Sequence, residues 1–511
     1  MDRLLGLETE YGLYIEGVSV GELTAEARRL VQTISSRAVW DYRGESPLQD
    51  VRGFRASRLT THPQDEEIER QSRHARGPEP RSPREDHVDR LLRNGARFYH
   101  DHGHPEYSTP ECRSLWDLLT HDRAGERIVW AAACRYRQET GRYVAVYKNN
   151  SDYHGMSYGC HENYLVRRDL PFERLMAGLL PFLVTRILYA GAGKVGCETG
   201  PEPGAKVYQL SQRAEFFDEL ASVDTLHRRP LINTRDEPHA DPARWRRLHV
   251  ICGDALMSEY AAALKVGATA LVLGVLERGY GPPVELRDPI GAIKALARNP
   301  EGGWTVETRE GETIPAVEVQ RAYLLAAQEL FEGRDRETDW VLREWARTLD
   351  DLEADPRKLS DRLDWAAKKA LLDSFLESEG LEWETAPLEL LQSLELEYHS
   401  LDPHRGLFWA LQTEGVVKRI LKEKEIERAR QLPPRDTRAF LRGLCLQRFE
   451  VSAASWGRLS LKQGRRTVEL DLTRCVDEAI DGRELPPDAS LHDVVEWTRH
   501  LTDDAQARTR R

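Results

Sequence analysis

The sequence contains few cysteines, and no two of them stand at metal-binding spacing. Seven cysteines occur among 511 residues, and none forms a Cys-x-x-Cys pair. A zinc ribbon or a disulfide-stabilised scaffold is therefore not indicated. Because unpaired cysteines are typical of a reducing compartment, we expect a cytoplasmic protein.

The sequence also lacks a surplus of basic residues. Asp and Glu number 85 against 73 Lys and Arg, which gives a net charge of −12. A general nucleic-acid-binding protein carries the opposite balance, since its affinity comes from neutralising phosphates. We therefore expect no nucleic-acid partner. Nothing in the composition demands more than a monomer.

Long apolar runs of membrane-spanning quality are missing as well. The run LMAGLLPFLVTRILYAGAG is interrupted by Arg186, and the first residues carry Glu8 and Glu10 where a signal peptide would be apolar. We expect no membrane contact. The run instead predicts a buried helix that begins near Asp169 and Pro171, which suit an N-cap and a first turn.

What the sequence does contain is four strand-like stretches with polar residues two positions apart. In a strand, residues two apart point to the same face. Any one stretch alone is typical of the solvated face of an edge strand, but four together indicate an enzyme with a Mg-ATP site. The stretches carry Glu8 and Glu10 (GLETEYGLYIEG), Arg97, Tyr99 and Asp101 (NGARFYHDHGHPEYSTPE), His161 and Asn163 (GCHENYLV), and Arg247 and His249 (WRRLHVICGD).

The residue types in these stretches suit magnesium. Mg²⁺ takes hard oxygen ligands, usually one or two carboxylates together with water and substrate phosphates. Glu8, Glu10 and Glu106 supply carboxylates, and His161 and His249 could complete more than one ion site.

The same stretches offer phosphate donors and a candidate catalytic residue. Arg97 and Arg247 carry forked guanidinium groups that match phosphate oxygens. Asp101 shares a strand face with Arg97 and Tyr99, and the turn HGHPE brings Glu106 back towards it. A carboxylate beside metal ions stays ionised, so Asp101 could act as a nucleophile or as a general base.

The chain divides by composition into a large and a small part. Residues 44–87 are rich in Arg, Asp, Glu, Pro and Ser and predict a mobile loop. Strand patterns recur over 127–166, strands and helices alternate over 209–275, and helical periodicity dominates 318–430. After QLPPRDT short strand patterns return, which predicts a small separate C-terminal domain at 431–511.

One glycine motif imitates a dinucleotide site. Gly191, Gly193 and Gly196 spell Gly-x-Gly-x-x-Gly, but that fingerprint requires a strand before it and a helix after it. Here the preceding segment is helical in pattern and CETGPEPGAK follows. We interpret the motif as the glycine-rich exit of a helix.

Several long motifs resemble a known family. GLETEYGLY, WDYRGESPLQDVRGF, NGARFYHDHGHPEYSTPE, YKNNSDYHGMSYGCHENYL and INTRDEPHADPARWRRLHVICGD resemble the family of the Pup ligase and the Pup deamidase/depupylase, which is related to glutamine synthetase and glutamate–cysteine ligase. The resemblance implies an α+β fold. It would have a glutamine synthetase-like catalytic domain (1–430), with a curved antiparallel sheet backed by helices, and a small C-terminal domain (431–511).

The resemblance also assigns roles to residues. It implies ATP and Mg²⁺ as cofactors and Asp101 as the catalytic aspartate. The implied metal positions are Glu8, Tyr99, Glu106, His161 and His249, with Glu10 close by. The implied nucleotide contacts are Arg97, Thr109, Asn163, Arg247 and Trp456, the last on a short, divergent strand.

Two features place the chain in the hydrolase branch of that family. The spacing from Asp101 to Glu106 is one residue shorter than in the ligases, and the long segment 44–87 is a depupylase feature. The expected function is ATP- and Mg-dependent deamidation of the C-terminal Gln of a Pup-type modifier and cleavage of its isopeptide bonds to substrate lysines. The modifier and pupylated proteins would be the partners, and Arg213 and Arg235 are candidate wall residues of their groove.

Three alternatives remain at the level of sequence. The nearest is the Pup–protein ligase reaction, in which ATP activates the modifier's carboxylate for attack by a lysine. A small-molecule ligase of the glutamate–cysteine type is more distant. A non-catalytic regulator would have no need of Asp101 and the metal set.

Overall fold

The structure is a computed structural model that describes residues 1, 3–36, 38–59, 88–199, 203–225, 228–477, 480, 485 and 489–509. The strands among these residues are β1 (Leu5–Glu10), β2 (Gly12–Ile15), β3 (Val39–Trp40), β4 (Asp89–Leu91), β5 (Arg97–Asp101), β6 (His104–Ser108), β7 (Val144–Tyr147), β8 (Cys160–Arg167), β9 (Lys194–Val195), β10 (Tyr208–Gln209), β11 (Phe217–Ser222), β12 (Arg229–Asn233), β13 (Trp245–Val250), β14 (Thr305–Glu307), β15 (Thr313–Pro315), β16 (Val451–Ala454), β17 (Arg458–Gln463) and β18 (Arg466–Asp471).

The helices are α1 (Val20–Gln32), α2 (Leu115–Thr140), α3 (Phe172–Thr185), α4 (Ile187–Ala190), α5 (Glu259–Glu277), α6 (Pro289–Ala297), α7 (Ala316–Phe331), α8 (Arg336–Ala354), α9 (Asp364–Glu379), α10 (Leu388–Tyr398), α11 (Leu407–Thr413), α12 (Glu423–Ala429), α13 (Arg438–Arg448) and α14 (Leu491–Thr509). The helical region predicted for 318–430 corresponds to α7–α12.

An eight-stranded sheet organises the large part of the chain, in the order β11-β12-β13-β8-β1-β6-β5-β4. All the neighbouring pairs are antiparallel except β11 with β12, which run parallel. The α+β prediction is confirmed, and the wholly antiparallel sheet is corrected to a mixed one. The four polar stretches form the adjacent strands β13, β8, β1 and β5–β6.

One face of this sheet is apolar because side chains alternate along each strand. Leu5 and Leu7 of β1, Tyr164 of β8 and Leu248 of β13 join the main hydrophobic core with the helices. The intervening residues, among them Glu8 and His161, face the other way. Burial of one face therefore fixes the register that brings the polar residues together on the opposite face.

Helix α5 lies in the middle of the helical layer, and all its residues from Glu259 to Leu276 are buried. By length and composition it could cross a membrane, but its whole apolar window lies inside the fold. Such a helix is equally typical of a protein core. The other apolar run forms α3 as a buried helix that begins near Pro171 as predicted, although Pro171 and not Asp169 is the N-cap, and Arg186 is the C-cap.

The C-terminal strands form a second, four-stranded sheet in the order β18-β17-β16-β3. Its last strand, β3, comes from residues 39–40 and pairs parallel with β16. A separate hydrophobic cluster joins this sheet to α13 and includes Trp40 and Leu91 from the N-terminal region. The predicted boundary at residue 430 lies between α12 and α13. The small sheet nevertheless includes β3, which belongs to the N-terminal part of the chain.

Two predictions differ from the structure. Residues 127–140 are not strands but the second half of α2, where the apolar run at 128–134 has no helical periodicity of its own. The predicted mobile loop begins with an anchored stretch, because Val51 N donates to Thr234 O (2.9 Å) and Asp236 N donates to Gln49 O (2.8 Å). Residues 60–87 of that loop lie outside the described residues.

Gly191 and Gly193 lie between the short helix α4 and β9, and Gly196 directly follows β9. Gly193 and Gly196 have φ of +73° and +95°, which other residues rarely adopt. The segment is a glycine-rich helix exit, as predicted, and has no strand–turn–helix geometry for a dinucleotide.

Candidate active site

Three neighbouring strands bring one carboxylate and two imidazoles together. Glu8 on β1 stands opposite His161 on β8, and His249 on β13 stands opposite Asn163 on β8. The Glu8 Oε2 atom lies 3.5 Å from His161 Nδ1 and 3.6 Å from His249 Nε2. One ligand atom from each residue falls within 4.8 Å of the others, as a single cation requires.

The ionisation states of this cluster suit a metal. Burial lowers the pKa of His249 well below its usual value, and the charge of Arg247 lowers it further, so the ring is neutral. Burial would raise the pKa of Glu8, but His161, His249 and Arg247 hold it well below its usual range. Both ring nitrogens of His249 are buried and have no hydrogen-bond partner. A buried lone pair without a partner is costly unless it binds something.

A second cluster consists of the carboxylates of Glu10, Asp101 and Glu106, again within 4.8 Å of one another. Glu10 Oε2 accepts a hydrogen bond from Gly159 N (2.7 Å), and Tyr99 donates its hydroxyl to Glu106 Oε1. The second oxygen of Glu106 is buried without a partner. Burial, together with the charges of Asp101 and Glu10, raises the pKa of Glu106 well above its usual value. A cation placed here would relieve that repulsion.

Asp101 ends β5 at the edge of this cluster, next to a two-residue turn. Its carboxylate is 38% exposed and lies 2.7 Å from His102 Nδ1. Partial burial would raise the pKa of Asp101, but the charge and hydrogen bond of His102 keep it well below its usual range. Asp101 is therefore ionised at neutral pH, as a nucleophile or general base must be.

Arg247 and Asn163 form a rigid edge beside the first cluster. Arg247 donates to Asn163 Oδ1 (3.0 Å), and Asn163 donates to Glu8 Oε1 (3.0 Å). Glu237 accepts from the other arm of Arg247 at 3.2 Å. The predicted nucleotide contacts Arg247 and Asn163 thus stand where a phosphate next to a cation would meet them.

Arg97 is held by aromatic and acidic neighbours. Its guanidinium lies 4.1 Å from the Trp40 ring and 3.9 Å from the Tyr99 ring, and it donates to Asp89 at 2.7 Å. Tyr42 accepts a further hydrogen bond at 3.2 Å. These contacts hold the Arg97 guanidinium at the wall of the cavity, where Asp89 and Tyr42 already accept two of its hydrogen bonds.

Thr109 and Trp456 belong to an apolar cavity at one end of the site. Thr109 Oγ1 accepts from Leu7 N (3.0 Å) and so ties this wall to β1. Trp456 packs edge-on against Trp40 with ring centroids 5.1 Å apart. Leucines from β1, together with Asn163 and Arg247, line the same cavity.

The apolar cavity opens into a polar one of about 250 Å³ that contains both clusters. Five residues line both cavities, namely Glu8, Ser108, His239, Arg247 and Trp456. The two cavities form one crevice, which has an apolar end and an acidic centre whose side chains could bind cations. This shape matches a nucleotide, which has an apolar base at one end and charged phosphates at the other.

Arginines form the far wall of the polar cavity. Arg213, Arg229 and Arg235 line it, as predicted for Arg213 and Arg235. Arg213 is only 2% exposed, and among the residues that the structure describes no carboxylate pairs with it. Its guanidinium donates to Ile251 O and lies over the Phe217 ring. A buried cation of this kind indicates an anionic ligand.

All twelve predicted site residues therefore lie along the one crevice. Sequence reasoning missed further residues of its lining, among them Glu45, His102, Glu237 and His239. His102 was overlooked because it stands in a turn, outside the alternation on which the prediction relied. Glu237 and His239 lie within INTRDEPHADP and have no strand pattern.

Relatives of known activity match nearly the whole chain. The family model described as Pup-ligase protein matches residues 3–460. The depupylase of Acidothermus cellulolyticus is 40% identical over 475 residues, which cover 89% of this chain and 90% of that protein. The Pup deamidase/depupylase of Mycobacterium tuberculosis (strain H37Rv) is also 40% identical, over 478 residues and the same shares.

Solved structures give a similar result. The Pup ligase PafA in complex with Pup matches with a TM-score of 0.76 and 30% identity, covering 99% of this chain and 93% of that one. PafA in complex with ADP matches with a TM-score of 0.71 and 32% identity, covering 88% of this chain and 97% of that one.

Proposed function

This chain belongs to the Pup-ligase protein family, and we propose that within it the chain acts as a Pup deamidase/depupylase. It hydrolyses the side-chain amide of a C-terminal Gln on a Pup-type modifier and the isopeptide bond between the modifier and a substrate lysine. The observation that carries this proposal is an ionised Asp101 in the second of two clusters that could hold a cation, in a chain 40% identical to depupylases along 89% of its length.

ATP fits the crevice in one orientation. The base would lie in the apolar cavity against Trp456 and Thr109, and the phosphates would lie beside Arg247 and Asn163. The solved relative that holds ADP supports a nucleotide in this fold. Glu111 and Arg438 also line this cavity but pair with each other, and the leucines of the wall suit an uncharged ring.

Magnesium ions would be held by the two clusters. Glu8, His161 and His249 offer one ligand set, and Glu10 and Glu106 offer another, with Tyr99 beside them. The unpartnered lone pairs of His249 and Glu106 fit this role. Bound Mg-ATP would supply positive charge that polarises the scissile carbonyl.

The substrate would enter along the arginine wall. The terminal residue of the modifier carries an α-carboxylate, and the buried guanidinium of Arg213 offers a matching charge-assisted contact. Arg235 extends the wall outwards. An acidic, extended modifier suits such a surface, and it would lose conformational entropy as it becomes ordered on docking.

Two roles for Asp101 fit the geometry. As a general base, it takes a proton from water, whose oxygen attacks the carbonyl carbon. As a nucleophile, its own oxygen attacks, the amine leaves, and water then cleaves the acyl-aspartate. Both routes give a carboxylate and an amine, and both need an ionised Asp101.

The ligase reaction is the second candidate, because the solved relatives with TM-scores of 0.76 and 0.71 are ligases. Their identity to this chain is 30–32%, against 40% for the depupylases. The two-residue turn between Asp101 and His104 has the shorter hydrolase spacing. We therefore place ligation second.

The proposal extends to the setting of the enzyme. All seven cysteines are free, which suits a reducing cytoplasm. We propose a monomer that acts on the modifier and its conjugates, without a nucleic-acid or membrane partner.

The decisive experiment follows release of a target protein from a lysine-linked modifier conjugate in the presence of Mg²⁺ and ATP. Wild type should release the target, also with a non-hydrolysable ATP analogue. Asp101→Asn should lose at least about 10³-fold in rate, because a neutral amide can neither attack nor take a proton. The control Asp373→Asn alters an exposed helical aspartate and should match wild type.

Each alternative has its own signature in that assay. Formation of conjugates from free modifier with stoichiometric ADP release would establish the ligase reaction and refute the hydrolase. Binding of modifier without turnover of either kind would leave a regulator. Unchanged activity in Asp101→Asn would remove Asp101 from the mechanism.

A further inference from the structure

His102 occupies a backbone position that histidine rarely takes. The strands β5 and β6 are joined by a two-residue turn, with Asp101 paired to His104. His102 and Gly103 have φ of +42° and +96°, and a turn with positive φ at both central residues normally carries Asn-Gly. Histidine tolerates a positive φ better than most residues do, but Asn is the usual residue at this turn position, so the contacts of the His102 side chain are of interest.

The ring of His102 is directed at the reacting region. Its Nδ1 lies 2.7 Å from the Asp101 carboxylate, and the residue lines the polar cavity. Because Asp101 holds Nδ1, the second ring nitrogen, Nε2, is left for the cavity. A carboxylate that fixes one imidazole nitrogen sets the proton and the orientation of the other.

The hydrolysis of an amide needs a proton donor at the leaving nitrogen. A lysine amine or ammonia is too basic to leave as an anion, so a proton must reach the nitrogen as the C–N bond breaks. Tyr99 already donates to Glu106, and His161 and His249 face Glu8. Among the residues that the structure describes, His102 is then the histidine beside Asp101 that has no other role and could donate a proton.

On the basis of the proposed function, we infer that His102 is the general acid that protonates the leaving amine through Nε2. The contact of Nδ1 with the Asp101 carboxylate (2.7 Å) orients the ring and favours its protonated form, in which Nε2 carries the proton that can be transferred.

The step balances for either role of Asp101. The new C–O bond forms, the C–N bond breaks with its electron pair going to nitrogen, and the Nε2 proton of His102 moves to that nitrogen. The proton lost by the attacking water reaches Asp101, which then releases it to solvent, and Nε2 of His102 takes up a proton from solvent, so both groups are restored. If Asp101 attacks first, the water that later cleaves the acyl-aspartate returns the proton instead.

The test compares two leaving groups on one modifier. One substrate carries a lysine peptide in isopeptide linkage, and the other carries 7-amino-4-methylcoumarin, a weakly basic arylamine that can leave without full protonation. The variant is His102→Asn, because Asn suits this turn but cannot act as an acid. The control is His404→Asn, at an exposed histidine in the loop before α11.

We expect His102→Asn to lose about 10²–10⁴-fold on the lysine substrate and less than about tenfold on the arylamide. The retained arylamide activity also shows that the variant is folded. His404→Asn should match wild type on both substrates.

Equal losses on both substrates in a variant that still binds Mg-ATP would overturn the inference, since His102 would then only position Asp101. Unchanged rates on both would overturn it as well. If the Asn variant fails to fold, His102→Gly keeps the turn at low cost, and added imidazole should then restore the lysine substrate selectively. Absence of such rescue would count against the inference.

A wild type that cleaves neither substrate would instead refute the proposed function.

Discussion

Glu8 is the residue on which the first cation cluster depends. Three strands meet at its carboxylate, which faces His161, His249 and the amide of Asn163. Without a carboxylate here, two neutral imidazoles remain, and these suit softer cations than Mg²⁺. The negative charge of Glu8 therefore determines whether this cluster favours Mg²⁺ over softer cations.

We predict that Glu8→Gln weakens Mg²⁺ binding by at least the roughly 10–100-fold that partners of metal ligands contribute. The amide keeps the size of the side chain but removes its charge. The measurement is hydrolysis of a modifier conjugate as a function of Mg²⁺ at fixed nucleotide. The matched variant Glu389→Gln, on the exposed side of α10, should leave the Mg²⁺ dependence unchanged. An unchanged dependence in Glu8→Gln would remove this residue from the metal site.

The same residues show what sequence can reveal at this scale. Glu8, Glu10, Tyr99 and Asp101 could be identified because strand alternation places them on one face. His102, Glu237 and His239 could not, because turns and loops have no fixed period. Their positions depend on packing between segments far apart in the chain.

At the scale of elements, the start of β8 controls the shape of the site. Gly159 precedes this strand, and its N–H donates to Glu10 while its Cα lies against the His161 ring. A Cβ at position 159 would meet His161 Nε2 at 2.2 Å. That atom is the far end of a side chain, so the ring would turn away and the backbone would stay.

We predict that Gly159→Ala lowers activity and Mg²⁺ affinity by at least about tenfold but changes stability little. The displaced His161 ring no longer points at Glu8, whereas the core behind β8 is untouched. Hydrolysis rate and urea unfolding should be measured on the same preparation. A matched change, Gly21→Ala in α1, meets no neighbouring atom within 4 Å and should leave both unaltered. Full activity in Gly159→Ala would mean that the cavity tolerates a displaced ring.

Elements also mark where the sequence analysis failed. The second half of α2 was taken for strands, because residues 128–134 (IVWAAAC) form an unbroken apolar run, whose pattern does not distinguish a strand from a helix. Residues 44–59 were expected to be mobile, since their composition is polar. Asp50 is nonetheless fully buried and accepts from Thr234 Oγ1 at 2.5 Å, and Val51 packs against the main core, so a few specific contacts anchor a stretch of mostly polar composition.

For the whole molecule, the link between the two sheets matters most. Glu111, in the segment between β6 and α2, accepts from Arg438 Nε (2.7 Å) and from Arg442 on α13. Arg442 also lies over the Trp456 ring at 4.9 Å. This buried ion group connects the large sheet to the element that carries the apolar wall of the crevice. Composition predicts a boundary at residue 430, but it could not predict this connection, which joins residues over 300 positions apart.

The pKa of Glu111 predicts how the link responds to acid. Burial alone would raise it, but the charges of Arg442 and Arg438 lower it to about 2, against about 4.3 in an unfolded chain. A depressed carboxyl pKa stabilises the fold above the unfolded value, and this contribution is lost as pH falls from about 4.3 towards 2. The difference corresponds to about 3 kcal/mol at neutral pH.

We therefore predict that Glu111→Gln lowers the free energy of unfolding by about 3 kcal/mol at pH 7, consistent with the cost of leaving buried arginines without their partner. At pH 3 the deficit should shrink to about half, because wild type loses part of the same stabilisation. Urea unfolding at both pH values measures the change. Glu318→Gln, in an exposed pair with Arg321, should cost less than about 0.5 kcal/mol at either pH. A deficit in Glu111→Gln that stays constant with pH would show that shape, and not charge, joins the two sheets.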